Sequence, residues 1–333
     1  MATRSAQSFG PILAERAETI GKDKFFFGFA SQFFRFNSID GVDLSRISAV
    51  FQHQPTPNPV FGDDFITTEN FLDLNIGQFT GYFTYGLTDR IDLSVAIPMV
   101  SASFNVISRA TIQRVGTGDD RSVHFFQSGD GTTAQFSGAA SASGLGDIMT
   151  RIKGTVMRTP RAALAAGLDL RVPTGDEYNF LGSGAAGLKP FVVMSFKAGR
   201  VSPHLNGAFQ WNGKSVLAGN VAMGDKRKLP NEISFIAGAD IGLSPKLTLA
   251  ADILGLRREN AQRLTSTPFQ AANGAFYNNI AFRRGGLSQY NGAVGFKING
   301  TGNLLLAFNL LFKLNNDGLR GRVIPLISLS YSL

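Results

Sequence analysis

The feature that most constrains this chain is a two-residue alternation of apolar and polar side chains within segments of ten residues or more. In residues 304–314 the even positions are all Leu or Phe, whereas Asn303, Asn309 and Lys313 occupy odd positions. Successive side chains of a β-strand point to opposite faces, so each segment has one apolar face. A soluble sandwich shows the same alternation. Its strands have about 5 to 6 residues, however, whereas strands that cross a bilayer need about 9 to 11, so the lengths favour membrane strands.

The connections between these segments form two classes. Five short ones carry the Gly, Pro, Asn and Asp of tight turns: Gly86–Arg90, Arg158–Arg161, Ala198–Arg200, Ser244–Lys246 and Asn299–Gly302. Six others alternate with them, and most are long: Asn37–Ile66, Gln113–Ser143, Pro173–Gly187, Asn212–Asn231, Arg257–Gly285 and Asn315–Gly318. The sequence therefore predicts an all-β fold, a closed antiparallel transmembrane β-barrel of about 12 strands with short periplasmic turns and long extracellular loops.

Composition agrees with this fold. The 333 residues include 29 Phe and 38 Gly, which suit an apolar outer face and tight turns, and no Cys for a disulfide or a thiolate metal site. Residues 1–9 lack the pattern of a signal peptide, so we expect a mature form and infer export from the rest of the chain. Residues 11–20 have the pattern of a short helix. We expect residues 1–23 to form a periplasmic or plug-like segment and residues 24–333 to form the barrel.

The chain is basic, with a formal net charge of +8. Its small basic clusters, Lys226–Lys228, Arg257–Arg258 and Arg283–Arg284, fall in predicted loops rather than on one continuous face. This distribution favours anionic headgroups of outer-membrane lipids and lipopolysaccharide as partners over nucleic acid.

The last predicted strand is Arg322–Leu333. Its apolar face ends in Ile327, Leu329, Tyr331 and Leu333, which is similar to the C-terminal signal that the barrel assembly machinery reads, although that signal usually ends in Phe or Trp. We therefore expect this machinery to be a partner during biogenesis, and the bacterial outer membrane to be the location.

Three stretches resemble a known family: Ser143–Ile148 running into Arg151 and Lys153, Leu170–Asp176, and Gly199–Asn206. They are similar to the outer-membrane barrel family named for the meta-cleavage pathway of phenol degradation (Phenol MetA degradation), a distant relative of hydrophobic-compound transporters. The resemblance implies a barrel and suggests uptake of small, often aromatic molecules.

The predicted polar faces place a set of side chains in the lumen: Asp147, Arg151, Lys153, Asp169, Arg171, Lys189, His204, Gln210, Asp240, Asp252, Asn291, Lys297 and Asn309. Charges facing lipid would be costly, so these residues should point inward. Two interpretations stay open: the charges pair across strands and fill the barrel, or they line a permeation path. We also expect Asp147, Arg151, Asp169 and Arg171 to form one charge cluster.

The first strand carries Phe on both faces. Phe26, Phe34 and Phe36 should point inward, either as an apolar patch for a hydrophobic substrate or as packing against the N-terminal segment. The only imidazoles, His53, His124 and His204, lack a nucleophile motif, and no ligand spacing indicates a metal. We therefore expect no enzymatic activity, no metal and no cofactor.

Two functions fit these features. The first is an outer-membrane channel for passive uptake of small hydrophobic or aromatic molecules. The alternative is a structural or surface-interaction barrel whose external loops bind partners while the lumen stays closed.

Overall fold

The computed structural model describes residues 15–52, 63–116, 124–126, 131–300 and 302–333. Its strands are β1 Phe25–Ile39, β2 Val42–Asp43, β3 Ile47–Gln52, β4 Phe65–Thr88, β5 Ile91–Gln113, β6 Thr133–Leu145, β7 Ile148–Arg158, β8 Ala162–Val172, β9 Gly187–Phe196, β10 Val201–Asn212, β11 Lys214–Asn220, β12 Asp225–Lys228, β13 Glu232–Gly242, β14 Leu247–Gln270, β15 Phe276–Asn299, β16 Leu304–Lys313, β17 Leu319–Gly321 and β18 Val323–Ser332.

Twelve of these strands close into an antiparallel barrel. The hydrogen-bonded order is β1-β4-β5-β7-β8-β9-β10-β13-β14-β15-β16-β18, and β18 pairs back with β1. Phe26 lies opposite Thr84 of β4 and Ser332 of β18, so the first strand joins both ends of the sheet. Closure leaves no unpaired edge within the ring, as a membrane-spanning sheet requires. The predicted twelve-stranded barrel and its five short turns are confirmed.

The two faces follow the predicted alternation. Leu306 and Phe312 are exposed on the outside, whereas Ala307 and Asn309 are buried on the inside. The C-terminal strand likewise exposes Ile327, Leu329 and Tyr331 outward. No helix of the described residues is long and apolar enough to cross a membrane.

The extracellular side differs from the predicted loops. Strands β4, β5, β14 and β15 contain 23 or 24 residues, whereas β8, β9, β10 and β13 contain 10 to 12. Much of the segments 113–143 and 257–285, predicted as loops, is paired strand: β6 continues β7 along β5, and β14 pairs with β15 up to Gln270. In β6 the physical reason is that apolar side chains such as Phe136, Ala140 and Ala142 continue to alternate with polar ones and give the strand paired with β5 one apolar face.

The predicted N-terminal helix is wrong for the part of it that can be described. Glu15–Ile20 has no helical residue, and residues 11–14 lie outside the described part of the chain. Contacts with the barrel wall replace helical hydrogen bonds, because the backbone at Ala17 binds Ser195 and Thr155 instead.

Candidate functional site

The segment Glu15–Ile20, called the strap below, lies inside the barrel near its periplasmic end. The Ala17 N–H donates to Ser195 Oγ at 3.0 Å, and Thr155 Oγ1 donates to Ala17 O at 2.6 Å. At its other end the Ile20 N–H donates to Asp92 at 3.2 Å. Ala17 is 0% exposed. The strap thus contacts β5, β7 and β9 at once, which requires it to cross part of the bore.

Ion pairs hold the strap in place. Arg16 binds Asp240 on β13, and Glu15 binds both Arg151 and Lys153 on β7, with Lys153 Nζ 2.8 Å from Glu15 Oε1. Glu18 lies 3.1 Å from Lys197 Nζ, one residue after β9. Arg151 is partly buried and the other residues except Lys197 are buried, so each of these charges depends on its partner for compensation. Removing one partner of such a pair typically costs about 3–5 kcal/mol.

Arg151 is the centre of the wall's charge network. Its Nε and Nη2 donate to the two carboxylate oxygens of Asp169 at 2.6 and 2.9 Å, a bidentate geometry. Asp169 Oδ2 also lies 3.2 Å from Lys189 Nζ, and the Arg151 guanidinium lies 4.6 Å from the Phe191 ring centre. The predicted pairing of Arg151 with Asp169 is therefore present.

The predicted cluster of four charges is in fact two separate groups. Arg171 does not pair with Asp169; it lies 3.7 Å from Asp147 and donates to Asn212 and to Ala185 O. Asp147 lies at the junction of β6 and β7, where it accepts the Gly175 and Ser183 N–H groups at 3.1 and 2.8 Å. The Asp147 carboxylate, at this break between two strands, accepts hydrogen bonds from backbone amides of segment 173–186. It therefore holds that segment in place and does not belong to the Arg151 network.

A second buried group surrounds His204. His204 Nε2 lies 2.6 Å from Asp252 Oδ1, although β13 runs between their strands. The intervening residue is Gly238, where a Cβ would meet Asp252 Oδ1 at 2.1 Å, so only glycine lets these side chains meet. Asp240, beside them on β13, accepts Lys297 at 2.8 Å as well as Arg16.

The remaining predicted lumen residues are placed as follows. Gln210 donates to Asn212 at 2.8 Å at the extracellular end of β10, and Asn291 accepts Arg320 at 3.0 Å. Asn309 is buried opposite Gly295. Among the predicted lumen residues, those near the strap lie close together. Asp147, Arg171 and Gln210 form a separate group nearer the extracellular end.

A cavity of about 290 Å³ lies above the strap. Its wall mixes apolar and polar side chains, including Phe191, Val193, Ile236, Lys189, Asn206 and Glu232, and Glu15 forms part of its lining. The middle of the bore is therefore narrow and lined by both apolar and polar side chains.

Above the membrane the polarity of the wall is reversed. On β5 the outward side chains up to Met99 are apolar, but beyond it they are Ser101, Ser103 and Asn105, and Ser143 Oγ donates to Ser101 Oγ at 3.0 Å. The opposite face, which continues the lumen, is apolar. We call this surface the apolar basin, and it consists of Phe34, Phe36, Leu72, Leu74, Ile76, Val100, Ala102, Phe104, Val106, Phe136, Ala140 and Ala142.

The three predicted Phe candidates are not one patch. Phe34 and Phe36 lie in the apolar basin with ring centres 6.0 Å apart and nearly parallel. Phe26 is buried near the periplasmic end. It lies eight residues before Phe34 on the same strand, which is about 26 Å at roughly 3.3 Å per residue. Its burial fits the packing interpretation, whereas Phe34 and Phe36 fit the substrate interpretation.

The basin has a high wall and a low wall. At the top of the high wall, Phe65 contacts Phe269 and Tyr277 of the β14–β15 hairpin, with ring centres 4.9 Å apart in both pairs. On the low side the short strands β8 and β9 are joined by segment 173–186. Leu181 of this segment is buried against the inner face near Gly144, at the lower end of the basin.

Sequence reasoning missed the strap contacts and most of the basin. The sequence predicts a helix over residues 11–20, which include Glu15, Arg16 and Glu18, and a loop over residues 113–143, which include Phe136. It does not single out Leu72, Leu74 or Phe104. A signal for the basin does exist in β5, where the apolar positions change from odd to even: Leu93, Val95, Ile97 and Met99, then Val100, Ala102, Phe104 and Val106. The register has no bulge there, so this change marks the level at which the strand leaves the lipid.

Comparison with solved structures supports the barrel. The COG4313 outer membrane channel from Pseudomonas putida F1 aligns with a TM-score of 0.56 and 15% identity over 95% of this chain and 98% of that one. A Pseudomonas aeruginosa FadL homologue aligns at 0.37 and 10% identity over 93% and 89%. The Ralstonia pickettii toluene transporter TbuX aligns at 0.33 and 11% identity over 94% and 90%. The fold assignment rests on the first of these.

The sequence matches one family model, and no curated protein matches it. The family model covers residues 75–251, which include β5–β10, the Arg151 network and much of the apolar basin. Since this range is more than half of the chain, the protein is a transmembrane β-barrel that belongs to the family described as "Putative MetA-pathway of phenol degradation".

Proposed function

We propose that this barrel is an outer-membrane channel for passive uptake of small hydrophobic or aromatic molecules. The observation that carries the proposal is the apolar basin. It places Phe34, Phe104 and Phe136 on the inner face of an extracellular wall whose outer face just above the membrane carries Ser101, Ser103 and Asn105. Phe136 is 55% exposed there. Exposed apolar side chains that converge on one concave face typically mark a ligand-binding surface.

Two structural neighbours act on this class of solute: one is a monoaromatic hydrocarbon channel and the other a toluene transporter. The likeness to both is in fold only, and the substrate class for this chain rests on the basin. Its dimensions favour single-ring molecules, because the cavity of about 290 Å³ beneath it is small; a cavity of roughly 150 Å³ holds benzene.

The strap serves, in this proposal, as a plug. It is anchored to β7, β9 and β13 by the contacts of Glu15, Arg16 and Ala17, and to β5 by that of Ile20. Residues 1–23 would then be a plug-like segment and residues 24–333 the barrel. The predicted lumen residues would line the path above and around the plug, with Arg151, Lys189 and Asn291 nearest the cavity.

The proposal includes the partners expected of such a barrel: outer-membrane lipids and lipopolysaccharide around it, and the barrel assembly machinery during biogenesis. Outward apolar side chains such as Phe27 and Tyr331 support the contact with lipid. We further propose that the chain is not an enzyme; the neighbouring structures are channels or transporters, which supports this part.

A second candidate function is a structural or surface-interaction barrel with a closed lumen. The observation that favours it is the strap itself, because buried ion pairs fix it across the bore. In that case uptake would not occur, and the basin would bind an external partner.

Uptake by cells discriminates the two functions. Cells with an intact lipopolysaccharide layer would be compared with and without the expressed protein, with radiolabelled toluene and radiolabelled glucose as probes. The channel proposal predicts faster toluene accumulation and no change for glucose. Equal toluene rates in both strains would reject the channel and leave the closed barrel.

A further inference from the structure

The β11–β12 hairpin continues the inner face of the barrel above the membrane. β10 and β13 pair Gln210 with Glu232, and the same register runs unshifted into the hairpin, where Lys214 lies opposite Lys228. Side chains alternate along a strand, so both lysines share the luminal face of Gln210 and lie on the opposite face from Trp211. In the ring of twelve strands, β10 and β13 lie across the bore from β1 and β4, which carry part of the apolar basin.

The two lysines repel each other, because like charges directly opposite each other on antiparallel strands are destabilising. The neighbouring Lys226 is compensated, since its Nζ lies 3.2 Å from Glu177 Oε1. Lys214 and Lys228 are exposed and form no ion pair with any residue that the structure describes. A pair of uncompensated ammonium groups on the inner face of the mouth attracts anions from solution.

The surface segment that joins β8 and β9 connects this pair of lysines to the apolar basin. At one point Glu177 binds the hairpin through Lys226, and four residues later Leu181 is buried at the lower end of the basin. Between these two contacts the side chains of Tyr178 and Phe180 are 52% and 67% exposed. A solute held at the lysines therefore has exposed aromatic rings between it and the basin.

The backbone of Phe180 is strained. Its φ is +59°, in the left-handed region that bulky residues rarely adopt. Asp176 fixes this turn, because its carboxylate accepts the Tyr178 N–H at 2.9 Å and Asn179 Nδ2 at 2.7 Å. Strained residues of this kind cluster at sites that hold ligands. The turn thus exposes an aromatic ring at a cost in free energy, and the Asp176 carboxylate is bound within its own turn.

We propose that this extracellular mouth binds small aromatic carboxylates, with the carboxylate on Lys214 and Lys228 and the ring on Tyr178 and Phe180. A carboxyl group with a pKa of about 4 is an anion at neutral pH. It accepts charge-assisted hydrogen bonds from both ammonium groups, while its ring leaves water against aromatic side chains. The inference names a solute class within the proposed function and rests on that function for passage of the ligand to the basin. Binding itself requires no transport, so the two can fail separately.

Ligand-observed NMR titrations of the purified full chain in amphipol test this site. The probes are benzoate, benzamide, which has the ring without the charge, and acetate, which has the charge without the ring. Lys214→Ala/Lys228→Ala removes the two cations together with their mutual repulsion, so the hairpin should stay folded. Lys22→Ala/Lys246→Ala removes the same charge at the periplasmic end and is the matched control.

The wild type should bind benzoate about tenfold more tightly than benzamide or acetate. An exposed ion pair contributes up to about fivefold in affinity, so Lys214→Ala/Lys228→Ala should bind benzoate about tenfold more weakly, and the control should bind it like the wild type. Phe180→Asn removes the ring at a position where Asn tolerates the left-handed conformation. This variant should weaken benzoate binding about fivefold.

Unchanged benzoate binding in the lysine variant or in Phe180→Asn would overturn the proposal, and so would acetate binding as tight as that of benzoate. The toluene uptake experiment separates this site from the channel. Benzoate binding without toluene uptake would reject the channel and keep the site, whereas toluene uptake without benzoate binding would reject the site alone.

Discussion

At the scale of single residues, adjacent positions on one strand face different solvents. Phe308 points to lipid near the middle of β16, and Asn309 points into the lumen. An arginine facing lipid near the bilayer midplane costs about 2–4 kcal/mol, whereas a luminal one joins a wall that already holds charges. Phe308→Arg should therefore lower the yield of folded barrel far more than Asn309→Arg, as measured by heat-modifiable mobility on gels. Equal yields would contradict the assignment of faces.

Arg151 and Asp169 test the charge network at the same scale. They form a buried bidentate pair, so each single alanine variant leaves a charge without its partner. The double-mutant cycle Arg151→Ala/Asp169→Ala should give a coupling free energy of about 1–3 kcal/mol in thermal or denaturant unfolding. Arg171 provides the control, because it contacts Asp147 and not Asp169. A cycle of Arg171→Ala with Asp169→Ala should be additive within about 0.5 kcal/mol; the reverse ranking would refute the arrangement.

At the scale of elements, the strap makes a prediction about conductance. Replacement of Arg16 and Ala17 by glycine removes the Asp240 pair and weakens the fit beside Ser195. The strap should then leave the bore for part of the time, and single-channel recordings in planar bilayers should show more frequent or larger openings than the wild type. Replacement of Lys22 and Asp23, which lie outside the strap, is the matched control. Identical recordings for wild type and strap variant would mean that the strap does not close the bore.

The extracellular segment after β5 is anchored by Asp64. Its carboxylate accepts the Val115 and Gly116 N–H groups at 2.8 and 2.9 Å and lies 2.8 Å from His124 Nδ1. Burial alone would raise the pKa of Asp64, but the hydrogen bonds from Gly116, His124 and Val115 outweigh it and hold this pKa below the usual range. The anchor is thus fully present above the ordinary Asp pKa of about 3.9, and it is lost as the pH falls through the lowered value.

Hydrogen exchange of the Val115 and Gly116 amides measures this anchor. After correction for intrinsic exchange rates, protection of these amides in the wild type should stay constant around neutral pH and decrease only below a pH of about 4. In Asp64→Asn the protection should be lower and should not change over that acid range. An acid-induced loss of protection that persists in Asp64→Asn would assign the effect to another group.

The elements also show what the sequence alone can predict. The alternation predicts the number of strands and the side of the membrane on which each turn lies. The reason is that every strand that crosses the membrane needs apolar side chains on its lipid-facing side, such as the Leu and Phe side chains of residues 304–314. The strap does not follow from it, because Glu15–Ile20 has the residue pattern of a helix, and long-range contacts such as the ion pairs with Asp240 and Arg151 hold it in a non-helical conformation. The basin was missed for a different reason: the apolar parity changes at Met99 and Val100, and a single-face reading of the strand does not anticipate this.

At the scale of the whole molecule, polarity reverses along the barrel axis. In the membrane the outside is apolar and the lumen carries Arg151, Lys153 and Asp169; just above it the outward side chains of β5 are Ser101, Ser103 and Asn105, and the inside is the apolar basin. This arrangement gives an apolar solute a favourable surface on the cell exterior and separates that surface from the periplasm by a narrow cavity of mixed polarity and the strap. Our central claim is that uptake begins with capture of the solute in the basin.

The most direct test is the initial rate of radiolabelled toluene uptake by cells that express Phe104→Ser/Phe136→Ser. Partial burial of a ring against an apolar solute contributes about 1 kcal/mol, so loss of both rings should slow uptake at low toluene concentration by about 30-fold. The matched control is Phe71→Ser/Ile107→Ser, a pair that lies opposite each other on the outer face of β4 and β5. The account predicts a slow basin variant and a control equal to the wild type at equal surface expression. Equal rates in all three would contradict it.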